Sequence, residues 1–290
     1  MKKLIILILP ILILLSSCEL MLPNNKTDRN VYLVSLALNY VNSGVNQLNC
    51  TLNDQQAIFN EFSYITNNTS SPFRYFLVSQ KGKELIINDN GNITKQEIDF
   101  TQPSHVIKNK ILTKLSIYSQ ELDENDILFF HYSGHGDNDG GLVYHVENNK
   151  YYDYKIFPSD LFNSIKGNKG TTLLFLDSCY SGFFYDYISS DLNSQNFSNL
   201  FNPPGKRNNK FTLTGAQNDE KSWENNGYGN LTRAFLENLG YNTTTNTPGM
   251  KQSHIWFSEL ITSIQRNIKL YINGSIQHPQ GNEIKDFLLY

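Results

Sequence analysis

Two stretches of the chain share one layout: residues 127–136 are ILFFHYSGHG, and residues 173–182 are LLFLDSCYSG. Each starts with four apolar residues, which is typical of a strand buried on both faces of a parallel sheet. Each then passes into a short polar loop that ends in glycine. His135 lies between two glycines in the first loop, and Cys179 lies among small or polar residues in the second. The pattern predicts two buried strands, each followed by one reactive side chain.

The segments around these stretches alternate between strand-like and helix-like patterns. Strand-forming apolar runs are Val31–Leu38, 73–79 and 211–214, and a turn at Asn90-Gly91 predicts a hairpin within 83–93. Helical spacing of apolar residues occurs in 54–62, 104–119, 158–165, 230–239 and 253–268. The alternation predicts an α/β fold: a three-layer α/β/α sandwich with a mostly parallel central sheet of about six strands and helices on both faces.

The carboxyl ends of parallel strands form one edge of such a sheet, and active sites lie there. The 44 residues from His135 to Cys179 are enough for a βαβ crossover, which makes the two strands neighbours. A nearby imidazole can accept the thiol proton and later protonate a leaving amine, as a cysteine peptidase requires. The backbone amides of Gly136 and Cys179 are the candidates for an oxyanion hole. Each side chain alone has an ordinary alternative: a loop histidine with satisfied hydrogen bonds, or a small buried cysteine.

The composition excludes some classes of function. The net charge is −3, the sequence pI is about 6.1, and lysines and arginines form no basic stripe, so we expect no nucleic-acid partner. One histidine and one cysteine without further residues at ligand spacing do not make a zinc site. Three cysteines, Cys18, Cys50 and Cys179, are too few for a disulfide scaffold. We expect Cys50 to be a small buried residue and Cys179 to stay a free thiol.

Residues 1–17 have the layout of an export signal. Met1-Lys2-Lys3 is basic, and residues 4–15 are apolar apart from one proline, which is shorter than the ~20 residues of a membrane-spanning helix. Leu15-Ser16-Ser17-Cys18 resembles the lipobox of bacterial lipoproteins. That resemblance implies cleavage before Cys18, acylation of Cys18, a tether over 18–29, and a lipid-anchored membrane protein of the bacterial cell envelope that faces the periplasm or the surface. The alternative is an ordinary signal peptide with an incidental cysteine.

The motifs around both reactive residues resemble the signature of the caspase-like cysteine peptidases, in particular the metacaspase branch with its bacterial members. Tyr132-Ser133-Gly134-His135-Gly136 and Asp177-Ser178-Cys179-Tyr180-Ser181-Gly182 carry this resemblance. Weaker similarity covers the first strand and residues 48–54, 211–224 and 277–280, in the family's order. Over residues 30–290 the resemblance implies a caspase-like peptidase domain with His135 and Cys179 as the catalytic dyad, protein or peptide substrates, and no cofactor required for the chemistry.

The resemblance also implies a preference for Arg or Lys before the cleaved bond. The residues that match the family's S1 pocket are Asp54, Ser133 and Asp177. A carboxylate two residues before the nucleophile could hold a cationic side chain by charge-assisted hydrogen bonds. Alternatives stay open for both acids: Asp54 as the N-cap of the following helix, and Asp177 as a turn-capping or histidine-orienting residue.

Three further expectations concern regulation and assembly. The family includes calcium-dependent members, but the aspartates between residues 137 and 160 are too scattered to predict a calcium site. Residues 183–210 have the character of a flexible insertion, and Lys206, Arg207 and Lys210 within it are candidate self-processing positions. We expect a monomer. The alternatives to an Arg/Lys-specific endopeptidase are an inactive caspase-like binding or scaffold module at the membrane, and a caspase-fold hydrolase of another specificity.

Overall fold

The computed structural model describes residues 29–189, 209–251, 255–271 and 277–282. The strands in these ranges are β1 Val31–Leu38, β2 Phe73–Lys81, β3 Glu84–Asp89, β4 Asn92–Glu97, β5 Ile127–Ser133, β6 Leu142–Val143, β7 Lys155–Ile156, β8 Thr171–Asp177, β9 Lys210–Thr214, β10 Glu224–Asn225, β11 Tyr228–Gly229 and β12 Gln280–Gly281. The helices are α1 Thr51–Thr69, α2 Val106–Glu121, α3 Pro158–Ser164, α4 182–189, α5 Asn230–Leu239 and α6 Phe257–Tyr271.

Eight strands form one sheet, in the order β12-β9-β8-β5-β1-β2-β3-β4. The middle strands from β9 to β2 run parallel, whereas β12 at one edge and β3 and β4 at the other are antiparallel. Every residue of β5 is buried, as a strand covered on both faces requires. The predicted, mostly parallel sheet is confirmed. It has more strands than the roughly six expected from periodicity, because the predicted hairpin adds two strands to one edge.

Helices cover both faces of the sheet. Val34 and Leu36 of β1 belong to one core, together with Ile111 of α2 and apolar residues of α3 and α4. Leu33 belongs to the opposite core, together with Phe235 of α5 and apolar residues of α1 and α6. Successive residues of β1 therefore enter opposite cores, as the alternating geometry of a strand requires. The α/β/α sandwich is confirmed.

Several helix boundaries differ from the prediction. Helix α1 begins at Thr51 and continues to Thr69, because its polar last turns are stabilised by side-chain hydrogen bonds to the backbone, such as Thr66 Oγ1 to the Phe62 carbonyl at 2.7 Å. Residues 182–189 form α4, where the sequence predicts the start of an irregular insertion. Residues 190–208 of that insertion, the signal peptide and almost all of the tether lie outside the described residues. Lys210, predicted to be in the flexible insertion, is instead the first residue of β9. No helix in the described ranges has both the length and the hydropathy of a membrane span.

Candidate active site

The alignment of β5 with β8 brings the two predicted reactive residues together. These strands are parallel neighbours, and their last residues, Ser133 and Asp177, are paired in register. His135 and Cys179 each follow two residues later. Because both loops leave the same edge of the sheet at the same level, His135 and Cys179 line one cleft.

Three contacts hold His135 in place, two of them to its ring and one to its backbone. It packs on the Tyr40 ring with 4.5 Å between centroids, and its backbone N–H donates to Tyr40 Oη at 3.1 Å. The ring Nε2 lies 2.7 Å from the Asn46 carbonyl oxygen. A carbonyl oxygen only accepts, so Nε2 carries the proton and Nδ1 is the basic nitrogen in the neutral ring. Burial lowers the pKa of His135, partly offset by the Asn46 bond, which favours the neutral ring.

The Cys179 thiol lies in a tight turn at the start of the loop after β8. Its Sγ is 3.7 Å from the Ser222 carbonyl oxygen, toward which it donates, and the next residue, Tyr180, has a left-handed φ of 57°. Burial raises the pKa of Cys179, and the Ser222 contact lowers it by less. Both shifts favour a neutral thiol and a neutral imidazole over an ion pair.

Gly136 lies in a small hairpin next to Cys179. The His135 carbonyl accepts from Val143 N, and Asp137 N donates to the Gly141 carbonyl, both at 3.0 Å. These two bonds leave the N–H of Gly136 directed away from the opposite strand. A Cβ atom at Gly136 would overlap the Cys179 carbonyl, so the close approach of the two loops requires glycine here.

Asp54 and Asp177 form an acidic floor beneath the cleft. Asp54 is 0% exposed, and its carboxylate accepts from Ser133 Oγ at 2.7 Å and from Gly229 N at 3.0 Å. Asp177 accepts from Ser222 Oγ at 2.7 Å and from Thr232 N and Oγ1 at 2.9 Å. The three residues matched to an S1 pocket thus lie together and beside Cys179.

Burial raises the pKa of both carboxyls. For Asp54 the negative charge of Asp177 raises the pKa further, while bonds from Ser133 and Gly229 lower it. For Asp177 the bonds from Thr232 and Ser222 oppose the effect of burial. Two buried acids in one pocket favour a bound cation, because a positive charge offsets both desolvation and mutual repulsion.

The sequence profile described as the caspase domain matches residues 36–282. The chain belongs to the caspase domain family. Two solved structures have a similar fold: caspase-1 from Spodoptera frugiperda, with a TM-score of 0.55 and 13% identity over 89% of this chain and 90% of that chain, and a protein from Geobacter sulfurreducens, with 0.50 and 16% over 87% and 92%. No curated protein sequence matches the chain significantly.

Two alternatives for the acids of this caspase domain can now be judged. Helix α1 begins at Thr51 with Cys50 as its N-cap, so the N-cap alternative for Asp54 is wrong. Asp177, for which turn capping was the alternative, instead contacts a distant helix: its carboxylate accepts the N–H of Thr232, in the first turn of α5. Asp177 does not orient His135, since the hydrogen-bonded ring nitrogen of His135 contacts Asn46.

Sequence reasoning missed the contribution of residues 222–229 to the cleft. Trp223 is 44% exposed, and Glu224 accepts from the N–H groups of Cys50 and Asn49 at 3.2 and 3.3 Å. Both line the cleft. The acidic Glu224 and the aromatic Trp223 in a segment of loose family similarity were the available signal. A third carboxylate therefore lies at the cleft of this caspase domain.

The other predicted residues are apart from the cleft or outside the described chain. Cys50 is buried, and both Cys50 and Cys179 are free thiols, as predicted. Lys210 begins β9, which places it at the amino end of a parallel strand, on the opposite edge of the sheet from Cys179. Cys18, Lys206 and Arg207 lie outside the described residues. Within the described ranges, no group of three or more His, Cys, Asp or Glu residues is arranged to hold a metal ion.

Proposed function

We propose that this caspase domain is a cysteine endopeptidase that uses His135 and Cys179 and cleaves after Arg or Lys. The observation that carries the proposal is the in-register pairing of β5 with β8, which puts one imidazole and one thiol into a cleft floored by two buried carboxyls. Proteins or peptides are the substrates that membership in the family implies.

The reaction follows from the positions of these groups. Nδ1 of His135 accepts the thiol proton as Cys179 Sγ attacks the peptide carbonyl carbon, which gives a tetrahedral oxyanion and an imidazolium. The amides of Gly136 and Cys179 donate to the oxyanion. Collapse breaks the C–N bond, and the imidazolium protonates the leaving amine. A water molecule then loses a proton to His135 and hydrolyses the thioester, which releases the acid and the thiol.

The acidic floor supports the proposed specificity. An Arg or Lys side chain that reached Asp54 and Asp177 would stabilise their ionised forms, which are otherwise disfavoured by burial. Ser133 Oγ lies beside them and could orient the same cation. An acidic or apolar side chain would leave the carboxyls without that gain, so it would be selected against.

The test is a panel of peptides that differ only in the residue before the cleaved bond, namely Arg, Lys, Asp, Asn and Leu. Wild type, Cys179→Ala and His135→Ala are assayed with and without calcium, which measures any calcium requirement in the same experiment. We expect cleavage of the Arg and Lys peptides alone, and its loss in both variants. Cleavage of the Asn peptide would instead favour a caspase-fold hydrolase of another specificity. If no peptide is cleaved in a Cys179-dependent way under either condition, the scaffold alternative replaces this proposal.

We also propose that Cys18 is the acylated N-terminus of a membrane-anchored lipoprotein. The support is the sequence of residues 1–18. Metabolic labelling with palmitate and membrane fractionation should give a labelled, membrane-bound protein, and Cys18→Ala should abolish both the label and the membrane association.

Self-processing at Lys206, Arg207 or Lys210 is tested with the same material: wild type should be cut within residues 190–210, and Cys179→Ala should stay intact.

A further inference from the structure

A buried lysine lies beside the His135 loop without a part in the proposed chemistry. The Lys155 side chain is 3% exposed, and its Nζ contacts Asp137 at 2.5 Å and Asp139 at 2.6 Å. Burial lowers the pKa of Lys155, but the two carboxylates raise it by more, so the ammonium stays charged. Burying an unpaired ammonium costs a large desolvation free energy, so a buried lysine needs charged partners. Both partners of Lys155 come from the loop that follows Gly136.

The two carboxylates lie at the tip of the His135 hairpin. The hairpin runs from His135 to Val143 and is closed by the bonds from Val143 N to His135 O and from Asp137 N to Gly141 O. Gly140 N donates to the Asp137 carbonyl at 2.8 Å and completes the turn. Lys155 therefore binds the turn of the hairpin through its two ion pairs, while His135 and Gly136 form the base of the hairpin.

The lysine stem and α4 enclose this turn from two sides. Strand β7, which contains Lys155, pairs with β6, where Val143 is opposite Lys155. A Cβ atom at Gly141 would lie 2.5 Å from Lys155 Cδ, and one at Gly140 would lie 2.5 Å from Phe183 Cβ. Phe183 follows Cys179 by four residues. The turn is thus packed between Lys155 and the helix that starts after the nucleophile loop.

The two ion pairs differ in strength. The Asp137 side chain is 17% exposed, whereas that of Asp139 is 46% exposed. Water screens the second pair, so it contributes little, and the Asp137 pair carries most of the interaction. Asp137 is also bonded directly to Gly136 in the chain. A movement of the Asp137 carboxylate can therefore move the Asp137 backbone and, with it, the Gly136 amide.

We propose that Lys155 is a positioning residue that holds the Gly136 amide, through Asp137, in the place required to stabilise the oxyanion. The inference rests on the proposed peptidase function. Because Lys155 acts through Asp137, its loss should affect the transition state and leave the binding of the basic side chain at Asp54 and Asp177 unchanged. The expected signature is a lower kcat with a similar KM.

The test compares Lys155→Met with Lys114→Met. Lys114 is a matched control, because its Nζ pairs with Asp89 at 2.7 Å between α2 and β3, and neither residue lines the cleft. We expect Lys155→Met to lower kcat by about 10-fold to 100-fold, the effect of a misplacement of about 1 Å at a reacting centre, with KM within about 3-fold. Lys114→Met should keep the wild-type kcat. Equal kcat values for the two variants would overturn the proposal.

Aspartate variants keep the test valid if Lys155→Met does not fold. Asp137→Asn should lower kcat clearly, and Asp139→Asn should stay near wild type, because only the first pair is shielded from water. The double variant Asp137→Asn/Lys155→Met removes both charges together. If the double variant recovers the wild-type kcat, Lys155 only cancels charge and does not position the loop, and the proposal is wrong.

Failure of this inference and failure of the proposed function give different results. Cys179-dependent cleavage by wild type, with unchanged kcat in Lys155→Met and Asp137→Asn, removes only the positioning role. Absence of Cys179-dependent cleavage in wild type removes the peptidase function and this inference with it. Thermal denaturation of each variant separates lost stability from lost positioning, because a folded Lys155→Met enzyme assayed well below its melting temperature must still show the kcat defect.

Discussion

Asp54 and Asp177 face the same glycine from two different elements of the fold. Gly229 N donates to Asp54 at 3.0 Å, and a Cβ atom on Gly229 would overlap the Asp177 carboxylate. Asp54 comes from α1 and Asp177 from the end of β8. Burial and, for Asp54, the neighbouring charge raise the pKa values of the two acids. When both are ionised, two negative charges therefore lie side by side at the floor of the cleft.

Replacing Asp177 by Asn should weaken cleavage after Arg or Lys. The loss of a charge-assisted hydrogen bond to the substrate cation costs about 1.5–3 kcal/mol, so kcat/KM for Arg peptides should fall about 10-fold to 100-fold. The control is Asp126→Asn, because Asp126 is also buried and bonded to backbone N–H groups, at Asn30 and Asp123, but precedes β5 at the far edge of the sheet. Asp126→Asn should lose stability and keep the Arg preference. An Asp177→Asn enzyme with unchanged kcat/KM would show that Asp177 serves only to cap α5.

The alkylation rate of Cys179 should rise through the alkaline range. Burial raises the pKa of Cys179 and lowers that of His135, so the thiolate forms only above the usual thiol range, and no imidazolium stabilises it near pH 7. Iodoacetamide labelling followed by mass spectrometry at Cys179 measures this from pH 5 to 10. Cys50 does not interfere, because burial and Glu224 raise its pKa to about 12. A rate that is already constant between pH 5 and 8 would indicate a preformed thiolate–imidazolium pair.

The hydroxyl group of Tyr40 should contribute more than its aromatic ring to holding the His135 loop in place. Tyr40 Oη accepts from His135 N at 3.1 Å and donates to the Val143 carbonyl at 2.7 Å. Tyr40→Phe keeps the ring that packs on His135 but leaves the part-buried His135 N–H without its acceptor, at a cost of about 1–3 kcal/mol. We expect a lower melting temperature and a lower kcat. Tyr118→Phe is the control, since Tyr118 is equally buried in α2 and should change stability without changing kcat.

Stability should decrease as the pH rises through the titration of Glu61. Glu61 is 0% exposed, Oε2 accepts from Gly249 N at 3.1 Å, and Oε1 has no hydrogen-bond partner among the described residues. Burial raises the pKa of Glu61 from 4.5 to about 7, so the folded state holds the proton more tightly than the unfolded state. The stabilisation is full below pH 4.5 and is lost as the pH rises through about 7.

Glu61→Gln measures that effect directly. The variant cannot ionise, so it should be more stable than wild type at pH 8–9 by about 3 kcal/mol, and the two proteins should converge near pH 4.5. Urea denaturation at several pH values gives the free energies of unfolding. A constant difference between the two proteins at all pH values would contradict the shifted titration.

The strands and the reactive residues were predictable from local sequence. Apolar runs such as residues 127–130 and 173–176 must be buried, and a parallel sheet buries such runs on both faces. His135 follows its run by five residues (135 − 130) and Cys179 follows its run by three (179 − 176), so the runs predicted only that both residues come soon after buried strands. The register of β5 with β8, which pairs Ser133 with Asp177, puts each of them two residues beyond its strand. The structure confirms that placement, and the family profile confirms the fold class.

The surroundings of the two reactive residues were not predictable in the same way. Glu224 contacts Cys50, and Asp177 contacts Thr232, across chain separations that no local pattern encodes. The start of α1 at Thr51 was likewise not predictable, because the residues before Asp54 are mostly polar and loop-like. Its N-cap Cys50 makes no side-chain cap bond, so packing determines this boundary. The sequence around Lys155 does not distinguish it from a solvent-exposed lysine. Its burial against Asp137 and Asp139 is seen only in the structure.

The sequence by itself determined that His135 and Cys179 each follow a buried strand by a few residues, because a run of apolar residues and the polar loop after it are local properties. Only the tertiary structure decided the register of the two strands and the surroundings of the two residues: the burial that favours a neutral thiol and a neutral imidazole, the paired acidic floor and the ion pairs between Lys155 and the His135 hairpin. Those properties depend on burial and on distances between groups far apart in the chain. Such distances exist only once the sheet and its helices have assembled.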